Sequence, residues 1–399
     1  MKKYWKTILI SLVIVTTIGS YYIQAARASK NDFPFKIETT SGNKKEIENL
    51  ILQASYQNGD IHRWLYISKD GSTNLMSRQA YIERLIAPHV PLMFQKYIQE
   101  HRNFMRGKEL NPSKYYEDEA RLIYTTDPNN RQKVIQGNLL TLKIDILDKH
   151  TNNSSSFEIN TPAQASYDWM YVNDIYVENE EIKILVTNYL INGGRELHIY
   201  TVNEKNKELE QDSIIAKIEQ EEGVYSEISL INDFKNIQNE NYYFYMVEKY
   251  KEGMGGARPE IISSQMYLYN NITNEVEEWA MPAELKANKD LMILHGEEIF
   301  VPILSANDLE LNRYNIEKKQ WEEPVNFNYP STVNDKDTPF LQLTEGKLYL
   351  VNRIADDHLL FIGDLLTGES LYEGKIIVEN GENLDTNYSL YNEQINSIN

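Results

Sequence analysis

From about residue 120 onward, apolar and polar residues alternate in short runs, the period of half-buried β-strands. Two stretches match most closely: 294–301 (LHGEEIFV) aligns on 343–350 (LTEGKLYL) at an offset of 49, which also carries Leu311 onto Leu360 and Asn315 onto Asp364. Each copy reads strand, tight turn, strand, loop, strand, turn, strand. Looser copies lie at 177–184 (VENEEIKI) with 197–202 (LHIYTV), at 242–247 with 265–279, and at 142–148 with 156–159. The turns expected to close the third strands are 315–319 (NIEKK), 364–368 (DLLTG) and 271–275 (NITNE). Upstream, 62–68 (HRWLYIS) reads as a strand ended by Lys69-Asp70-Gly71.

One region changes period. Tyr81, Ile82, Leu85 and Ile86 fall at helical spacing after a capping Ser77, and Pro88 stops the run. Pro91 can open a second helix, because the first helical position needs no N–H. Phe94, Tyr97, Ile98, His101 and Met105 share one face of it and Gly107 can close it, so 77–107 is expected to be an inserted helical hairpin. Residues 47–55 are expected to form a short helix, 29–46 a polar tether and 379–399 a polar tail.

The first 28 residues form a separate export segment. Lys2, Lys3 and Lys6 precede an uncharged apolar stretch, 7–19 (TILISLVIVTTIG), which 20–23 (SYYI) extends to 17 residues. That length is at the lower edge of a membrane span, and basic residues in front keep the N-terminus inside. Ala26-Arg27-Ala28 reads as a cleavage site after Ala28, which would release the protein. Arg27 and Lys30 read equally as the end of an uncleaved anchor. Either way the expectation is a single-pass or secreted protein with its body on the extracytoplasmic side.

A four-stranded unit recurring every forty to fifty residues or so resembles the blade of a β-propeller. The resemblance is one of period and strand order, over roughly 116–378, or further if 64–67 belongs to it; a domain of 47–378 with the helical hairpin inserted has room for about five to seven blades. The chain carries no WD dipeptide and no kelch di-glycine, so no sub-family is named; it resembles uncharacterised exported proteins of Gram-positive bacteria. An irregular sandwich or two stacked sheets is the competing architecture.

Charge narrows the function. The net charge of −19 repels phosphate backbones and disfavours nucleic acid, anionic headgroups and anionic wall polymers, leaving membrane contact to the N-terminal helix alone. The absence of cysteine excludes disulfides, thiolate metal sites, thiol catalysis and lipidation at a lipobox. The seven histidines (His62, His89, His101, His150, His198, His295 and His358) show no ligand spacing. Asp335 and Asp337 lack the rest of a calcium loop, and no G-x-S-x-G elbow occurs. No catalytic, cofactor or metal residue is therefore assigned. Two glycine-rich loops, 253–260 (GMGGARPE) with Arg258 and 192–195 (NGGR), could present backbone N–H groups to an anion, although inter-strand turns explain them as well. Arg102 and Arg106, beside Lys96 on the polar side of the second helix, form a locally basic patch, and with Arg258 they are the candidate partner surface. The expected function is an extracytoplasmic binding or scaffold protein held at the membrane, partnering an envelope or membrane protein. The alternative is an exported enzyme acting on wall polysaccharide or peptide.

Overall fold

The computed structural model describes residues 35–74, 90–127, 140–162, 166–234, 237, 239–251, 260–305, 308–329, 339–354, 357–378 and 389–397, with part of the stretch 5–20. Those residues form two compact units: 1–89 with 304–309 and 325–399, and 90–303 with 310–324. The fold is mainly β, built from six antiparallel sheets.

The second unit holds sheets II to IV and most of sheet V. Sheet II runs β5 (Tyr115–Glu117), β6 (Arg121–Thr125), β7 (Thr141–Asp148) and β8 (Ser154–Asn160). Sheet III runs β9 (Tyr167–Glu178), β10 (Glu181–Leu190), β11 (Arg195–Asn203) and β12 (Glu208–Ile218). Sheet IV runs β13 (Val224–Leu230), β14 (Tyr242–Lys251), β15 (Glu260–Asn270) and β16 (Val276–Trp279). Sheet V runs β17 (Ile293–His295), β18 (Glu298–Leu304), β19 (Asp308–Asn315) and β20 (Gln320–Asn328). In each sheet, neighbours in space are neighbours in sequence. Sheets II and III share one apolar cluster, III and IV another, IV and V a third, so successive sheets bury facing surfaces.

In the first unit, sheet I is β2 (Leu50–Asn58), β3 (Ile61–Ser68) and β4 (Gly71–Asn74), with β25 (Ser389–Ser397) added beside β2. Sheet VI is β21 (Phe340–Thr344), β22 (Lys347–Ile354), β23 (Asp357–Asp364) and β24 (Ser370–Val378), with β1 (Phe35–Gly42) added beside β24. The end of the chain thus completes the first sheet while its beginning extends the last.

Three expectations change here. The segment read as a tether carries β1, whose Phe35 and Ile37 are buried; the segment read as a tail carries β25, with Leu390 and Ile395 buried. Residues 48–55 are not helical. A single 3₁₀ turn at Lys44–Ile47, capped by the Asn43 side chain, leads into β2. The strand is buried from Leu52 to Tyr56 on both faces, and a strand covered on both sides loses its period-two alternation. The first helix of the expected hairpin lies outside the described residues. The second is two pieces, α1 (Leu92–Glu100) and α2 (Arg102–Met105), broken where His101 leaves helical geometry at φ −128°, ψ 44°. Phe94, Tyr97, Phe104 and Met105 pack on Tyr115, Leu122, Tyr124 and Leu147 of sheet II. Of the N-terminal stretch, the described residues are helical and largely exposed, and no helix among the described residues is long and apolar enough to cross a membrane.

The repeat read from the sequence is present in register. Leu294 pairs with Ile299 as Leu343 pairs with Leu348, and β18, β19 and their closing residues start 49 positions before β22, β23 and theirs. The turn between third and fourth strands is one device used five times, beginning at Asp148, Asn203, Asn270, Asn315 and Asp364. The side-chain oxygen accepts backbone N–H bonds from residues two or three places on, for example from Lys205 and Asn206 to Asn203 and from Leu366 and Thr367 to Asp364. The fifth residue then takes a left-handed conformation: Asn152, Lys207, Asn274, Lys319 and Gly368, with φ between 53° and 73°. The third turn begins at Asn270, one residue before the expected start.

The last position separates the copies. At Gly368 a Cβ would lie 2.8 Å from the Asn326 carbonyl oxygen, so only glycine fits. Lys207 and Lys319 have the same backbone and carry its cost. Lys207→Gly and Lys319→Gly should each raise the unfolding free energy by about 0.5–1 kcal/mol, whereas Gly368→Ala should lower it by more than about 1 kcal/mol. Denaturant titration of the three variants checks the opposite signs.

Candidate binding surface

Antiparallel pairing brings together the start of β9, the end of β10 and the start of β11. Trp169 lies opposite Tyr189, and Tyr189 opposite Arg195. The Trp169 and Tyr189 rings stack at 4.6 Å with 24° between planes, and Tyr171 lies 6.0 Å from Trp169. The Arg195 guanidinium sits 5.1 Å from the Tyr189 ring centre and 5.8 Å from that of Tyr225, the second residue of β13. In sheet IV, Tyr225 lies opposite Tyr250 and Tyr250 opposite Ile261. Two cross-strand rows at the same end of adjacent sheets therefore join through one cation–π bridge.

This row is accessible. Trp169 is 38 % exposed, Tyr225 43 % and Ile261 51 %, with Ile191 and Ile262 exposed beside them. Large apolar side chains grouped in this way make the row a candidate interaction surface. The connection from β12 to β13 runs past it and carries Glu219, Glu221 and Glu222, all exposed. Gln220 of that connection is packed against Gly193, where any side chain would collide with its amide, so the acidic connection is held against the β10–β11 loop.

The structure decides the NGGR loop. The Gly193 N–H donates to the Leu190 carbonyl at 2.9 Å and the Gly194 N–H to the Asn192 side chain at 3.1 Å. Both donors are spent within the turn, so it is no anion nest. Beneath the row lies a buried polar network. His198 has Nδ1 2.6 Å from Asp212 Oδ1 and Nε2 3.1 Å from Glu196 Oε2, and Lys217 Nζ is 3.3 Å from Glu196 Oε1. Burial alone would raise the Glu196 carboxyl, but its bonds to His198 and Lys217 hold it below the usual range. The Tyr167 hydroxyl donates to Glu196 at 3.2 Å and is pushed up to about 12 by burial and by that carboxylate. His198 is 1 % exposed, and through Asp212 and Lys217, whose side chains reach the surface, the network ties β11 to β12.

At the opposite end of sheets IV and V is a pocket of about 430 Å³ lined by Glu240, Asn241, His295, Glu298 and Asn315 among others. Burial, and then the Asp233 carboxylate, push the Glu240 carboxyl up to about 7, while a bond from the Gly296 N–H acts the other way. Burial holds His295 below its ordinary value. The folded state therefore keeps a proton on Glu240 that the unfolded chain releases near 4.5. Stability from this group should fall as pH rises from about 4.5 through 7, by an order of 2 kcal/mol after allowing for the partial exposure of the carboxyl. His295 acts oppositely, withdrawing stability as pH falls below its unfolded value. Glu240→Gln should therefore stabilise the protein at about pH 8 and change little at about pH 5. Equal effects at both pH values, by denaturant titration, would contradict the assignment.

Arg102 and Arg106 are both exposed on α2 and beyond it, while Arg258 and the 253–260 loop lie outside the described residues apart from Glu260. The aromatic row escaped sequence reading because Trp169, Tyr189, Tyr225 and Tyr250 are 20, 36 and 25 positions apart. Each one, alone, is an aromatic residue near a strand end.

No protein-family model matches the chain, and no curated protein does. Among solved structures, an apocarotenoid oxygenase variant from Synechocystis is similar over 86% of this chain and 92% of its own, at 8% identity and a TM-score of 0.37. An uncharacterised protein of Listeria monocytogenes matches over 68% of each chain, at 8% identity and a TM-score of 0.33. The apo form of AztD from Citrobacter koseri matches over 70% and 72%, at 9% identity and a TM-score of 0.32. Identities and scores at this level carry no argument about activity.

Proposed function

We propose that this chain is an extracytoplasmic binding protein of the cell envelope, held at the membrane by its N-terminal segment, and that the row from Trp169 to Ile261 is its contact surface. We read each four-stranded sheet as a propeller blade, six in all, a reading supported by the offset of 49 and by the recurrent closing turn. The observation that carries the binding reading is the accessible, cross-braced aromatic row on rigid strands. The charge order of the first thirty residues supports the outward orientation, and the expected partner is an envelope or membrane protein. Arg102 and Arg106 offer a second, basic contact patch.

Protease added to intact, wall-stripped cells should degrade the body, and full protection would refute the orientation. Purified body should be retained by isolated cell envelopes, and Trp169→Ala should reduce retention without lowering the thermal midpoint. Retention indifferent to Trp169 would refute the surface. One observation favours the alternative of an exported enzyme acting on wall polysaccharide or peptide: a carboxyl that titrates near 7 in a pocket is poised for acid–base work. Loss of hydrolysis of envelope material on Glu240→Gln would establish that reading.

A further inference from the structure

We propose that the aromatic row takes an extended cationic peptide segment, whose arginine or lysine side chains add rungs to the stack that Arg195 already occupies. This rests on the reading of the row as a contact surface and names what covers it.

The site already contains one solution to the recognition problem. Arg195 lies between Tyr189 and Tyr225, with its guanidinium within 6 Å of both ring centres. The ring faces attract a planar cation through their quadrupoles, and partial removal from water strengthens the attraction. Tyr189 stacks on Trp169 and Tyr171 lies 6.0 Å from it, yet Trp169 remains 38 % exposed. Tyr225, on the neighbouring sheet, is 43 % exposed.

Charge selects the class of ligand. Beside the row, Glu219, Glu221 and Glu222 are exposed on one short connection, held in place by the contact of Gln220 with Gly193. Lys249 pairs with Glu221 and Lys217 lies 3.7 Å from Glu219, while Glu222 extends the acidic edge. On a chain of net charge −19, such a surface draws cations and repels acidic polymers. The exposed Ile191, Ile261 and Ile262 suit the aliphatic stems of long basic side chains. An uncharged glycan would use the rings alone; a cationic peptide uses the rings and the Glu222 carboxylate beside them.

The test is isothermal titration of the purified body with a blocked decapeptide of alternating alanine and arginine. Its control is the same peptide with citrulline, which keeps the shape and removes the charge. The arginine peptide should bind at least about tenfold more tightly than the citrulline peptide. Raising salt from about 0.05 to 0.3 M should weaken it, as expected for screened charges. Trp169→Ala and Tyr225→Ala should each cost about tenfold with unchanged thermal midpoints, Trp169→Phe should retain most of the affinity, and the triple variant E219Q/E221Q/E222Q should lose most of the salt dependence.

Absence of binding, equal binding of the citrulline peptide, or binding that survives Trp169→Ala and Tyr225→Ala would overturn the proposal. The last result would indicate unspecific attraction to an acidic protein. If the peptide fails while envelope retention still requires Trp169, the contact surface stands and only its ligand class falls.

Discussion

A chain stopped before Ser389 should fail to fold its first unit, although the lost segment is polar in composition. β25 pairs with β2 from Leu50 opposite Ser397 to Gln57 opposite Ser389, and it buries Leu390 and Ile395. Its removal gives up roughly 1.5–3 kcal/mol for each of those side chains and leaves β2 as an open edge. A second bond set goes with it. The Gln342 amide, buried in sheet VI, donates to the Ile395 carbonyl at 2.9 Å and accepts from the Ile395 N–H at 2.8 Å. Orphaned, that amide costs a further 1–3 kcal/mol or so, and the sum approaches the whole stability of an ordinary domain. The truncated protein should therefore be unfolded or aggregated by circular dichroism and gel filtration. Adding a peptide of residues 387–399 in excess should restore part of the cooperative transition. A truncated chain with an unchanged melting curve would show that β25 is dispensable.

Ile299→Asp should have an effect of similar size in the second unit. Ile299 is 0 % exposed and belongs to the cluster formed with Leu294 and Val301 of sheet V and Phe244, Leu268 and Trp279 of sheet IV. An unpaired carboxylate there loses its hydration and gains no partner, and the smaller side chain also opens a gap. A loss of more than about 4 kcal/mol is expected, enough to unfold most domains. Ile299→Val, which only trims a methylene, should cost about 1 kcal/mol. Equal midpoints for the two variants would show that the position is not the sheet-to-sheet contact that it is here.

Local chemistry was legible because it repeats. Alternation around Leu294 and Ile299 fixed which side chains face inward, and the matching pair Leu343 and Leu348 fixed the same register 49 residues later. The closing turns at Asn315 and Asp364 were visible because an Asx side chain and a left-handed residue four places on are short-range requirements. The copies at Asp148 and Asn203 obey the same rule but sit among strands of unequal length, which hid their spacing. The helix after Pro91 was readable from its apolar face, whereas its break at His101 was not, since no proline or glycine marks it.

The amino-acid sequence by itself determined the mainly β character, the 49-residue repeat with the sidedness of its hairpins, and the acidic balance, because these depend on residue type and on neighbours a few positions away. Only the tertiary structure decided where the ends of the chain go. β1 and β25 carry weak alternation, and their partners Val378 and Leu50 lie hundreds of residues away, so nothing local announces the pairing. The same holds for the candidate surface. Strand register sets Trp169, Tyr189 and Arg195 opposite one another, and likewise Tyr225 and Tyr250, and the Arg195–Tyr225 contact between sheets III and IV joins the two rows; neither register nor sheet packing is a property of any one strand.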